Sequence, residues 1–278
     1  MPAAVCARLN ASALHPLPLG VQLYTVRKQA EQDLPDVLEK IRRIGYVQVE
    51  TYGGIYTFSA VALRHMIEDA GLTAPSGHFG YDEFTTRFNF ARELGVLWMV
   101  CSAISPSLWN SADGFATAAK QFNAWGRQAK ELGMRFAFHN HDYEFRPFPS
   151  GQSGKDQPGR TGYDVLLDAT DPSLVFFEID CYWAAQAGHD PVELMRRLGP
   201  RVKMLHLKDR KPGFPPSFEM NDAAAHFEPV GKGSLDWKSI LAEGEQLGVE
   251  HYFVEQDRTA GPPVEALRES YRYLRSIT

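Results

Sequence analysis

Four short stretches carry side chains that could do chemistry together. The stretch GMRFAFHNHDYEF (133–145) starts apolar and ends in His139, Asn140, His141, Asp142 and Glu144. LVFFEID (174–180), VKMLHLKD (202–209) and HYFVEQD (251–257) repeat the design, with a greasy body and a polar tip. Side chains alternate along a strand, so one face carries Ala137, His139 and His141, then Glu178 and Asp180. On the later two stretches it carries Met204, His206 and Lys208, then Phe253, Glu255 and Asp257. Side by side, such strands bring imidazoles and carboxylates to one point. Burying several carboxylates together is costly unless a cation or tight pairing compensates. One divalent metal ion held by mixed nitrogen and oxygen donors is the economical answer, and that mixture suits Mn2+, Zn2+, Co2+ or Fe2+ better than Ca2+. Ordinary roles compete at single positions: Asp180 as the cap of a helix starting near Tyr182, His206 as a satisfied core histidine. Four strands that all end in ligand-type residues weigh toward a site.

These strands need a scaffold that aligns them. From Leu19 onward the chain repeats a helix-period segment, a glycine and a short apolar run. Gly45, Gly71, Gly95, Gly133, Gly199 and Gly248 stand at the helix-to-strand junctions, where the left-handed conformation that ends a helix favours glycine. Leu34, Val37, Leu38 and Ile41 form one helical stripe; Phe115, Ala118, Phe122, Trp125, Ala129 and Leu132 form another. Strands are expected at 20–25, 46–52, 73–79, 96–103, 134–141, 174–180, 202–208 and 251–256, with a last helix over 262–277. Alternating strands and helices imply a parallel sheet, and eight units in about 250 residues is the size of a closed (β/α)8 TIM barrel. An open doubly wound sheet is disfavoured, because no glycine-rich phosphate turn follows the first strand. The expected organisation is a loose arm over 1–18 and a single barrel domain over 19–278. Insertions at 146–162 and 210–233 fall on the strand-to-helix side, where barrel enzymes keep their active sites, and the second is expected to help cover substrate. The segment GKGSLDW (231–237) looks like a phosphate loop, but its glycine spacing is too short for a Walker motif.

Hydrophobic residues make up 44% and charged residues 23% of the 278, an ordinary globular balance. The net charge of −5 gives no reason to expect nucleic acid as a partner. No run reaches the roughly 20 apolar residues of a membrane span, so no membrane partner is expected. Cys6, Cys101 and Cys181 are odd in number and scattered, which points to a reducing, cytoplasmic setting. A homo-oligomer is compatible with all of this.

The barrel rhythm, LGVQLYTVR at the first strand, FHNHDYEF, FEIDCYWAAQAG, LHLKD and VEQD together resemble the sugar phosphate isomerase/epimerase family. This is the xylose-isomerase-like TIM-barrel superfamily, which also holds inosose dehydratase, tagatose-type 3-epimerases and endonuclease IV. The resemblance covers Leu19 to the C-terminus. It implies one divalent metal bound by Glu, Asp, His and Glu from the last four strands, and Asp180, His206 and Glu255 match the latter three. His139 stands where tagatose-type epimerases place the first Glu, with Glu144 as the alternative ligand further on. In those epimerases two metal-bound glutamates exchange protons on opposite faces of the sugar carbon, a symmetry that a histidine breaks. Kinship with inosose dehydratase and with enzymes acting on 3-keto sugars or glycosides gains weight accordingly.

The expected function is a metal-dependent sugar isomerase or epimerase working through an enediolate on a keto sugar or derivative, a small-molecule carbohydrate. The alternative is a metal-dependent lyase or dehydratase of the inosose dehydratase or 3-keto-glycoside type. An endonuclease-IV-like repair enzyme and a non-catalytic sugar-binding barrel rank lower. Glu178, Glu255, His141 and Lys208 are the candidate bases; Glu50 joins the catalytic set from the second strand end, and His78 is a candidate substrate contact at the third. A lysine beside a metal is expected to have a lowered pKa and to act as proton donor or carbonyl polariser. Trp183 and Tyr24 could wall a sugar ring, and Arg210 could contact hydroxyls or a carboxylate.

Overall fold

Strands β1 (Leu19–Gln22), β2 (Gln48–Thr51), β3 (Thr73–Phe79), β4 (Trp98–Cys101), β5 (Arg135–His139), β6 (Val175–Asp180) and β7 (Val202–Leu207) run parallel in chain order. After a short ribbon of β8 (Asp209–Arg210) and β9 (Phe227–Glu228), strand β10 (His251–Val254) pairs with both β7 and β1 and closes the barrel. The structure, a computed structural model, describes residues 17–149, 159–220 and 226–278. The expected arm over 1–18, Cys6 included, falls almost wholly outside the described residues, as do 150–158 and 221–225 within the two insertions. Among the described residues no helix is long and apolar enough to cross a membrane.

Local chemistry explains the alternation. Helices Leu34–Ile44, Ala60–Asp69, Ala112–Glu131 and Trp237–Leu247 start on Asp33, Ser59, Ser111 and Asp236, each accepting a hydrogen bond from a first-turn N–H. Gly162–Ala169 begins with a full capping box, Thr161 with Asp164. At the far ends all six junction glycines have positive φ; at Gly95 it is 90°, a conformation that a side chain would strain.

The inward face of the barrel is apolar below and polar above. Trp98, Val100, Ala137, Met204 and Phe253 are fully buried inside it, with Phe176 packed edge-to-face against Trp98 at 5.4 Å. Gly20 makes room for this plug, since a Cβ there would lie 2.6 Å from the Phe253 ring. The opposite strand faces, such as Phe136, Phe138, Ile179 and Leu207, join the core that the helices cover.

Several strands stop earlier than the sequence suggests. Residues 23–26 form a 3-10 turn, and 140–141, Lys208 and Gln256 have left the sheet. Their backbones bond elsewhere: Gln256 N–H donates to Thr25 Oγ1 (3.0 Å) and His141 N–H to both Glu144 carboxylate oxygens (3.1 Å). The β8–β9 ribbon, which sequence did not suggest, is organised by Asp209. Its buried carboxylate accepts from Gly231 N (2.8 Å), Gly233 N (3.1 Å), Ser234 N (3.1 Å), Leu235 N (3.2 Å) and Trp237 Nε1 (2.8 Å). GKGSLDW therefore does wrap an anion, but the anion is the protein's own.

Candidate active site and metal centre

At the mouth the inward residues fall on two levels, set by strand register. His139 pairs with Glu178, Asp180 with His206, and His206 with Phe253. On the lower level two buried carboxylates meet three imidazoles. Glu50 Oε2 accepts from Gln22 Nε2 (2.8 Å) and His206 Nε2 (2.6 Å) and lies 3.1 Å from His78 Nε2; Ser76 Oγ donates to its other oxygen. Glu178 Oε2 lies 2.7 Å from His78 Nε2, 3.1 Å from His139 Nδ1 and 3.2 Å from His206 Nε2.

On the upper level His139, Asp180, His206 and Glu255 each offer one ligand atom, all within 4.8 Å of one another. These are the four residues expected to hold metal. Asp180 Oδ1 caps helix Cys181–Gln186 by accepting from Trp183 N (2.8 Å), so the ordinary role and the site role fall to its two different oxygens. Asp180 Oδ2 is buried and accepts no hydrogen bond, although Lys208 Nζ is 3.0 Å away. It stands 3.9 Å from His139 Nε2 and 4.0 Å from His206 Nδ1, while His206 Nδ1 is 2.9 Å from Glu255 Oε2. Two imidazole nitrogens and two carboxylate oxygens at this spacing, one oxygen lacking a hydrogen bond, fit a divalent first-row metal.

Burial and mutual charge set the protonation states. Burial opposes the Lys208 ammonium, but Asp180, Asp257 and Glu255 outweigh it and hold its pKa well above the usual lysine value. Lys208 Nζ touches Glu255 Oε2 (2.8 Å) and both Asp257 oxygens (3.0 and 3.2 Å). Burial, helped by Lys208, pushes His141 down to about 3, and its Nδ1 is buried without a partner. Burial would also neutralise Glu255, but Lys208 and His206 keep it well below the carboxylate range. Glu50 is likewise held low by His78 and His206 against the effect of burial.

A cavity of about 420 Å³ opens above the upper level. Of the expected residues, Tyr24, His78, His139, His141, Trp183, Lys208 and Glu255 line it. Glu50 and Glu178 do not, and both are fully buried among the imidazoles below, so neither is placed to touch a substrate as expected. Arg210 is also corrected. Its guanidinium bonds Gln186 Oε1 (2.7 Å), Phe214 O (2.8 Å) and Pro215 O (3.1 Å) and ties down its own loop. Glu144, the alternative first ligand, is bound to the His141 backbone, and burial lifts its pKa to about 8. Tyr52, Ser102, Met220 and Asp257 line the cavity without having been singled out. Only Asp257 carried a signal, by sharing the inward parity of Phe253 and Glu255. Met220 belongs to the second insertion, and its N–H donates to buried Asp142 (2.9 Å).

A family model described as Xylose isomerase-like TIM barrel matches residues 38–277. An inosose dehydratase of Clostridium botulinum is 28% identical over 167 residues, covering 56% of this chain and 52% of that protein. The chain thus spans about half the length of that curated relative. A sugar phosphate isomerase/epimerase from Parabacteroides distasonis superposes with a TM-score of 0.77 at 27% identity, covering 96% of each chain. The IOLI protein, solved with a zinc atom, shares the fold at 14% identity, with a TM-score of 0.68 over 94% of this chain and 98% of that one. With its closed eight-stranded barrel and a match over most of its length, the chain belongs to the xylose isomerase-like TIM barrel family.

Proposed function

We propose that the chain is a divalent-metal-dependent lyase that eliminates water, or another β-substituent, from a keto sugar or a keto-cyclitol such as an inosose. The observation that carries this reading is an unlike pair at the cavity wall. His141 has a buried Nδ1 with no hydrogen-bond partner, Lys208 is paired with three carboxylates, and Trp183 lies against both, its ring 5.4 Å from the His141 ring and 5.5 Å from Lys208 Nζ. Elimination needs one base and one acid. Epimerisation needs two proton carriers that alternate on opposite faces.

The metal, held by His139, Asp180, His206 and Glu255, would supply Lewis acidity that polarises a substrate carbonyl and acidifies the neighbouring C–H. His141 Nδ1 takes that proton, and the C–H electron pair moves toward the carbonyl. As the carbon–oxygen bond to the β-hydroxyl breaks, Lys208 gives it a proton and it leaves as water. Asp257 and Asp180 keep Lys208 aimed and charged. Trp183 Nε1, buried without a partner, is free to donate to a substrate oxygen, and Tyr24 and Tyr52 wall the ring. An inosose dehydratase among the relatives supports this chemistry. The isomerase/epimerase reading has the Parabacteroides neighbour in its favour and is kept second.

Incubation of the Zn2+- or Mn2+-loaded protein with keto sugars and keto-cyclitols in D2O, followed by NMR, tests the proposal. Elimination gives an unsaturated or deoxy product. A deuterated stereoisomer of the substrate instead moves the assignment to epimerase. Turnover that keeps the C–H beside the carbonyl rejects both.

A further inference from the structure

Below the upper donor set lies a second group, His78, His139, Glu178 and His206, whose ligand atoms also fall within 4.8 Å of one another. All three of its imidazoles converge on the single oxygen Glu178 Oε2, at 2.7, 3.1 and 3.2 Å. These are hydrogen-bond distances. The lower group is a place for protons.

His139 and His206 belong to both groups, with one nitrogen in each. A carboxylate oxygen can only accept, so the nitrogen that faces it carries the hydrogen. His139 therefore donates through Nδ1 to Glu178, which leaves its Nε2 lone pair toward Asp180. His206 faces carboxylates through both nitrogens, Nε2 toward Glu50 (2.6 Å) and Nδ1 toward Glu255 (2.9 Å), so the same rule selects neither of them. The hydrogen bond at one nitrogen of a histidine decides which nitrogen binds metal.

The two carboxylates are themselves fixed by strands that supply no metal donor. Glu50 is held by Gln22 on β1 and Ser76 on β3, and both it and Glu178 are shared with His78 on β3. His78 and His206 stack in parallel, 5.2 Å apart with 3° between their planes.

We infer that Glu178 is a positioning residue for the metal centre: it holds the hydrogen of His139 Nδ1 and so presents His139 Nε2 as the ligand atom. This rests on the metal-dependent reading above but assigns Glu178 a role that does not touch substrate.

The test uses Zn2+ alone as probe, with chelator competition on the wild type and on Glu178→Gln. Glu178→Gln should weaken Zn2+ binding by about 10- to 100-fold with all four ligands intact. A Co2+-loaded sample should show an altered visible spectrum, which a loss of general stability would not cause. Nitrogen-15 NMR of the metal-loaded wild type, which needs no variant to fold, should find His139 protonated at Nδ1. The reverse tautomer at His139 overturns the assignment, and so does unchanged Zn2+ affinity in folded Glu178→Gln. Failure of the wild type to take up Zn2+, Co2+ or Mn2+ overturns the functional reading and this assignment with it.

Discussion

His141 and Lys208 differ in charge because of what surrounds them. Lys208 has three carboxylates within contact distance, whereas His141 has an unpaired nitrogen and an ammonium for a neighbour. Replacing His141 by Ala should lower kcat by about 10²- to 10⁴-fold without changing metal content, as judged by elemental analysis. A second residue effect concerns pH. Burial raises Glu144 to about 8 in the folded chain, above its ordinary carboxylate value. The folded state then holds more protons than the unfolded state between those values. Its stabilising contribution is present at low pH and is lost as pH rises toward 8. Glu144→Gln should therefore flatten the decline in stability between about pH 5 and pH 8, measured by urea unfolding. At this scale the sequence showed types but not partners. Arg210 reads as a binding residue until Gln186 and the carbonyls of Phe214 and Pro215 are seen around it.

Strands translate alternation into an inward face, and that much could be read directly. Ala137 below His139, and Met204 below His206, lie inside the barrel as their parity requires. Height could not be read, because the stagger of a closed barrel decides which residues share a level. Glu178 and Asp180 lie on one face of β6. The register sets Glu178 beside His139 and Asp180 beside His206, so one became floor and the other ligand. The eight-strand rhythm was legible because caps and junction glycines are local signals. The Asp209 hub was not, since its donors come from 22 to 28 residues later. Asp209→Ala would strand several backbone N–H groups and the Trp237 indole at once. Thermal unfolding should show a loss of roughly 3 kcal/mol, with the 210–233 loop affected before the barrel.

For the molecule as a whole, the four donors come from β5, β6, β7 and the end of β10, consecutive staves across one half of the barrel. A bound ion would join all four, and ligand that binds only the folded state stabilises it in proportion to its saturation. Metal at about 100 times its Kd should add about 2.7 kcal/mol, seen as a rise in Tm that a chelator reverses. The apolar plug of Trp98, Val100, Ala137, Phe176, Met204 and Phe253 closes the barrel from beneath. The reaction chamber is therefore a cul-de-sac. Product must depart by the doorway through which substrate arrived, and the two can never queue at separate doors. Added product should raise the apparent KM and leave kcat unchanged in steady-state kinetics, and a purely noncompetitive pattern would mean that product binds outside this chamber.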